Sequence, residues 1–248
     1  MNFSQLIRKP FRWLGLLPFK KKEEEWVPPD IAMDPAFLSI YKSIQPYTMV
    51  GIERCYALYQ SVKYIVSANI PGDFVECGVW KGGSSMLMTL TLQQLGVSNR
   101  NIWLYDTFSG MTKPGEEDGE TEKKEWEKLQ TGEDQSNWCL ALEDEVAANL
   151  RLTRYPDTQL HFVKGKVEET IPGKIPDQIA LLRLDTDWYA STRHELIHLY
   201  PRLQKNGVLL LDDYGYWQGS RKATDEYFQD KVLLHRIDNT GRILLKQQ

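Results

Sequence analysis

The sequence predicts an α/β domain built on a mostly parallel, doubly wound sheet. Three observations predict it. Five short apolar runs alternate with helical patterns, a glycine-rich turn follows the first run, and a hairpin signal closes the chain.

Residues 1–45 read as an N-terminal arm, punctuated by proline and charge, ahead of a domain over 46–248. From about Tyr47 to Asn69, Val50, Cys55, Leu58, Val62 and Ile65 recur at helical spacing, and Pro71-Gly72 ends the helix. Asp73 to Val79 is a first buried strand. Ser84 is expected to cap a helix that runs to Leu95 and stops at Gly96. Ile102 to Asp106 is a second strand. Residues 107–138 are rich in Gly, Glu, Lys and Thr and too long for an ordinary connection, so they read as a lid with one short helix near Trp126. A helix over about Leu140 to Tyr155 leads to a third strand, Leu160 to Lys164. The fourth is Ile179 to Leu184. A helix through Leu196 and Leu199 precedes the fifth strand, Val208 to Leu211. After a helix from Gly219 to about Lys231, two close strands flank the turn Asn239-Thr240-Gly241.

A chain of 248 residues, 42% hydrophobic, can bury one good core. Its net charge of -4 argues against nucleic acid as a partner. Cys55, Cys77 and Cys139 are too scattered for a disulfide framework or a zinc knuckle, which fits a reducing, cytoplasmic setting. Leu14, Leu16, Leu17 and Phe19, flanked by Arg12 and Lys20, are too few to span a bilayer. The arm is read as packing on the domain or on another subunit rather than on a membrane, so a homo-oligomer stays open.

Asp185 and Asp187 directly follow the fourth strand, and Asp212 and Asp213 the fifth. A right-handed crossover sets the two strand ends side by side, so four acids crowd one volume. A cation must neutralise them, or one of them must hold a proton. Capping of the next helix by Asp212 and Asp213 is the plainer alternative. The turn Glu76-Cys77-Gly78-Val79-Trp80-Lys81-Gly82-Gly83-Ser84 fits neither the dinucleotide fingerprint nor a phosphate loop. Asp106 stands where an acid commonly receives a ribose diol, so the pair suits a nucleoside-bearing ligand. Trp80, Trp126, Trp138, Trp188, Tyr214 and Trp217 either form an acceptor pocket or are ordinary packing. His194 and His198 share helical spacing but have no third ligand in view.

The blocks PGDFVECGVWKGGSS, IWLYDTFSGM, GKVEETIP, IALLRLDTDWYASTRHELIHLYPRLQKNGVLLLDDYG and SRKATDEYF resemble, in order, the macrocin O-methyltransferase family of sugar O-methyltransferases. The resemblance implies the Rossmann-like class I methyltransferase fold, with a seven-stranded sheet whose last two strands are the hairpin. It implies S-adenosyl-L-methionine as methyl donor, with Glu76, Gly78 and Ser84 along its methionine part. Asp106 would hold the ribose, Ser109 would lie close by, and Gly165 and Lys166 would flank the adenine. It also implies a divalent cation, usually Mg2+, on Asp185, Asp212 and Asp213, with Asp187 as general base and a sugar hydroxyl as acceptor. Thr186 departs from the glycine that the family often has between the two acids. A catalytically silent S-adenosylmethionine-binding protein or assembly partner is the competing expectation.

Overall fold

The computed structural model describes residues 26–247. Residues 1–25, the first half of the expected arm, lie outside the described residues. The second half packs on the domain. A short helix α1 (Pro29–Ala32) leads into α2 (Pro35–Ile44), which starts on Asp34, whose carboxylate accepts the Phe37 N–H at 3.0 Å. Phe37 and Ile44 are fully buried, with Phe37 set edge-on against Tyr56 at 4.9 Å.

Helix α3 (Ile52–Ser67) delivers the chain to strand β1 (Asp73–Cys77). Helix α4 (Gly83–Gln94) then leads to β2 (Ile102–Asp106). The next stretch carries helix α5 (Glu120–Leu129) and a two-stranded ribbon, β3 (Gln130–Gly132) with β4 (Gln135–Ser136). Trp126 is buried inside it and donates its indole N–H to the Met111 carbonyl at 2.9 Å, so the excursion has a small core of its own. Then follow α6 (Glu143–Arg151), β5 (Leu160–Lys164), α7 (Val167–Thr170), β6 (Ile179–Leu184) and α8 (Tyr189–His198). The chain finishes with β7 (Leu203–Leu211), α9 (Gln218–Phe228), β8 (His235–Arg236) and β9 (Arg242–Leu245).

The sheet order is β5-β2-β1-β6-β7-β9-β8, parallel except for β9 and β8. This is the doubly wound sheet with an antiparallel closing hairpin that the sequence predicts. Alternate side chains of each strand face opposite helical layers, as the strand period of two requires. Phe74, Val208 and Leu210 face α2, α3 and α4, whereas Val75, Leu209 and Leu211 face α8 and α9.

Two expectations are corrected. Ser84 does not cap α4: Gly82, with φ 90°, is the cap residue, and Ser84 lies inside the first turn. Strand β7 begins at Leu203 rather than Val208. Lys205 and Asn206 at its outer end are exposed, and their polarity hides the pairing from an apolar-run reading.

Among the described residues no helix is long and apolar enough to cross a membrane.

Candidate active site

Four parallel strands end in one row. Cys77 pairs with Tyr105 and Leu184, and Leu184 pairs with Leu211, so the next residues, Gly78, Asp106, Asp185 and Asp212, stand side by side at the C-terminal edge. Backbone bonds carry the ladder one step past the strands. Gly78 donates to Tyr105, Asp185 to Cys77 and Asp212 to Leu184, each at 2.9 Å. In open α/β sheets this edge is where ligands bind. Here it opens into a cavity of about 430 Å³, within the ~300–1,000 Å³ usual for small-molecule sites.

The cavity has a glycine side and an acid side. Gly78, Asp106, Gly165 and Lys166 line the first. Gly78 has φ 80°, and a Cβ there would strike the Asp185 carbonyl, so only glycine lets the two strand ends close up. Asp106 accepts N–H bonds from Val79 at 2.7 Å, Trp80 at 3.1 Å and Phe108 at 2.7 Å. It thereby ties the glycine turn to the end of β2. Burial pushes its pKa up against the pull of those amides.

Asp185, Asp187, Asp212 and Asp213 line the acid side. Ligand oxygens of Asp185, Asp187 and Asp213 all lie within 4.8 Å of one another. Asp187 adopts a left-handed backbone, φ 67°, that turns its carboxyl back toward Asp213, and its N–H donates to Asp213 at 3.3 Å. Burial first, then Asp185, raises the Asp187 pKa to about 8. Burial, then Asp187 and Asp212, also hold Asp213 well above the carboxylate range. Burial outweighs the attraction of Arg183 and raises Asp185 too. A crowded oxygen set of this kind suits a hard divalent cation, and without one it keeps protons.

Asp212 is treated differently from its neighbours. Arg183 Nη2 donates to its carboxylate at 2.7 Å, and Arg54 from α3 grips the other oxygen. Arg183 is almost wholly buried and also reaches Glu76 and Asp185, each at 2.7 Å. Burial disfavours its charge, but the three carboxylates more than compensate. Arg54 meanwhile donates to Asp238 at 2.8 Å, which joins α3 to the closing hairpin.

Placement of the expected residues therefore divides. Gly78, Asp106, Gly165, Lys166 and the four aspartates line one cavity. Glu76 is buried beneath it, paired with Arg183 and with the Ser85 hydroxyl. Ser84 is buried in α4, and Ser109 donates its N–H to Thr107, neither among the lining residues. Asp185, Asp187 and Asp213 bring their oxygens within 4.8 Å of one another, while Asp212, the expected ligand, is bound by Arg183 and Arg54. Sequence reading missed Arg183, Arg54 and Asp118. A charge inside IALLRL, opposite another inside DFVEC, was the available signal, and the register pairs Glu76 with Arg183.

Aromatic rings wall the mouth. Trp138, Trp188 and Trp217 meet edge to face, with centroids 5.7–6.0 Å apart. Trp80 and Tyr216 also line the cavity, whereas Trp126 belongs to the core of the excursion and Tyr214 packs under Arg242. Residues 107–138 are pinned over the site. Asp118 accepts the Tyr189 N–H at 2.9 Å and so satisfies the first turn of α8, and Glu117 pairs with Lys222 of α9.

The sequence model of the Macrocin-O-methyltransferase (TylF) family matches residues 40–245. Demethyldecarbamoylnovobiocin O-methyltransferase of Streptomyces niveus is 36% identical over 182 residues, 73% of this chain and 67% of that protein. Mycinamicin III 3''-O-methyltransferase of Micromonospora griseorubida is 32% identical over 184 residues, 73% of this chain and 70% of that protein. The solved structure of the O-methyltransferase NovP superposes with a TM-score of 0.73 at 32% identity, covering 82% of this chain and 83% of the other. The calicheamicin methyltransferase CalS11 superposes at 0.60 with 15% identity, over 89% and 94%, which speaks for the fold alone.

Proposed function

The chain belongs to the macrocin O-methyltransferase family and is an O-methyltransferase, and we propose that it methylates a sugar hydroxyl of a glycosylated small molecule, with S-adenosyl-L-methionine as donor and a divalent cation, Mg2+ by preference. The observation that carries this reading is the juxtaposition, in one cavity, of the Gly78–Asp106 turn and the Asp185, Asp187 and Asp213 cluster. The tetracenomycin enzyme, named for an acceptor that carries a rhamnosyl group, supports the substrate class.

The donor supplies a methyl carbon on a sulfonium. Gly78 would give it backbone access, Asp106 would offer a carboxylate to its ribose, and Gly165 and Lys166 would flank its base. A hard cation would be held by Asp185 and Asp213, with Asp187 or Asp212 completing the set, and its charge would acidify the acceptor hydroxyl. Where Asp212 completes the set, Asp187 is free to receive the proton that the hydroxyl loses. The tryptophan wall orients the sugar and excludes water. The three free thiols support a cytoplasmic setting.

The test is a panel of glycosides incubated with isotopically labelled donor, with magnesium or with chelator, and read by mass spectrometry. A labelled methyl ether that forms only with the metal supports the whole reading. Equal turnover in chelator removes the cation from it, and no methylated glycoside removes the acceptor class.

A further inference from the structure

Thr186 sits between Asp185 and Asp187, and its side chain faces inward. Its hydroxyl donates to the carboxyl of Glu195, with Oγ1 at 3.0 and 3.1 Å from the two oxygens. Glu195 is fully buried on α8. A buried carboxyl must be hydrogen-bonded, and the other side-chain partner of Glu195 is the Cys77 thiol at the end of β1. Thus one carboxyl under the sheet edge ties three pieces together: the tip of β1, the loop after β6 and helix α8. The loop needs such a tie. Asp187 holds a left-handed backbone, which is strained for a residue other than glycine. The Thr186 carbonyl is fixed as well, by the Trp188 N–H at 2.7 Å and the Ser191 hydroxyl at 3.2 Å.

We propose that Thr186, anchored on Glu195, is a positioning residue that fixes Asp185 at the cation and Asp187 beside it. The inference rests on the cation reading above and deepens it. Neither residue touches the ligand oxygens themselves; the pair acts through the loop. A glycine at 186 would leave the Glu195 carboxyl without its hydroxyl donor, so the loop of this chain is held by a side chain and not by backbone alone.

The experiment measures magnesium binding to the full chain by calorimetry, in parent, Thr186→Val and Thr186→Ser proteins, with S-adenosylhomocysteine binding measured beside it. Outer partners of metal ligands typically change affinity by about 10–100-fold. The valine variant, which keeps the branched shape and loses the hydroxyl, should bind magnesium about tenfold more weakly. Serine should restore binding to within about threefold, and affinity for S-adenosylhomocysteine should stay unchanged in both. Raising magnesium should then recover the turnover of the valine variant, which a merely structural defect would not allow. Parent-like magnesium affinity in the valine variant overturns the proposal, as does a serine variant as weak as valine. A parent that binds no divalent cation overturns the cation reading itself, and the parent titration tells the two failures apart. Should the valine variant fail to fold, Glu195→Gln, which keeps an acceptor for Thr186, and Glu195→Leu, which does not, carry the same comparison.

Discussion

Gly78 and Asp185 approach so closely that no side chain fits between them: a Cβ on the first would overlap the backbone oxygen of the second. The glycine side and the acid side of the cavity therefore share a wall one backbone thick. Gly78→Ala must push them apart and also place alanine at φ 80°. The left-handed backbone alone costs roughly 1–2 kcal/mol, a fall in Tm of about 2–8 °C for a chain of this size. Thermal denaturation measures the fall, and S-adenosylhomocysteine affinity should drop with it; an unchanged affinity would separate the two walls.

Arg183→Met tests the buried ion network. Removing this guanidinium leaves Glu76, Asp185 and Asp212 without the partner each has at 2.7 Å. Losing one side of a buried pair typically costs about 3–5 kcal/mol. Urea denaturation should show a loss of that order, and Arg183→Lys should recover little, since an ammonium cannot fork to three carboxylates. Full recovery by lysine would mean that the charge matters and the geometry does not.

The acid cluster makes stability depend on pH. An unfolded aspartate titrates near ~3.9, while burial and Asp185 raise folded Asp187 to about 8. A raised folded pKa contributes stability that is full below the unfolded value and is lost as pH rises through the folded one. In chelator, Tm should therefore fall as pH climbs toward 8, and added magnesium should raise Tm more at the alkaline end of that window than at the acid end. Asp187→Asn should flatten the chelator curve. The same slope in parent and variant would place the titration elsewhere.

Trp217→Ala should raise KM for the acceptor by about tenfold while leaving donor affinity unchanged. Trp217 meets both Trp138 and Trp188 at the cavity mouth, and an aromatic pair is worth about 0.5–1.5 kcal/mol beyond its buried area. Steady-state kinetics with the glycoside and donor varied in turn would reveal an equal effect on both, which would move this wall away from the acceptor.

Asp118→Ala removes the side chain that satisfies the first turn of α8 and holds Gly115 by a 2.7 Å bond. Losing a helix-capping acceptor costs about 1 kcal/mol. Trypsin should cut at Lys123 and Lys124 faster than in the parent, and bound S-adenosylhomocysteine should slow the cut. Cleavage at the parental rate would show that the other ties, Glu117 to Lys222 and the Trp188 indole to Thr112, hold the excursion without Asp118.

Strands were the most legible part of this sequence because buried parallel strands are continuous apolar runs, and β2, β5 and β6 fall on the expected residues. Strand ends then placed Asp106, Asp185 and Asp212 by topology alone. What stayed hidden depends on partners far apart in the chain. Arg183 serves Glu76 from 107 positions away, and Arg54 serves Asp212 from 158. No local pattern carries those pairings, so the engagement of Asp212 by two guanidinium groups could not be read beforehand. Glu195 was hidden for a related reason, since a charged residue on a helix looks solvated until the loop beneath it is known.

The pairing of Arg54 with Asp238 spans 184 positions of the chain, and it has a consequence for synthesis in the cell. Arg54 on the early helix can meet Asp212 once β7 is made, but its second partner arrives only with the closing hairpin. A nascent polypeptide that has already laid down its central strands is thus still without the final brace of its acid corner.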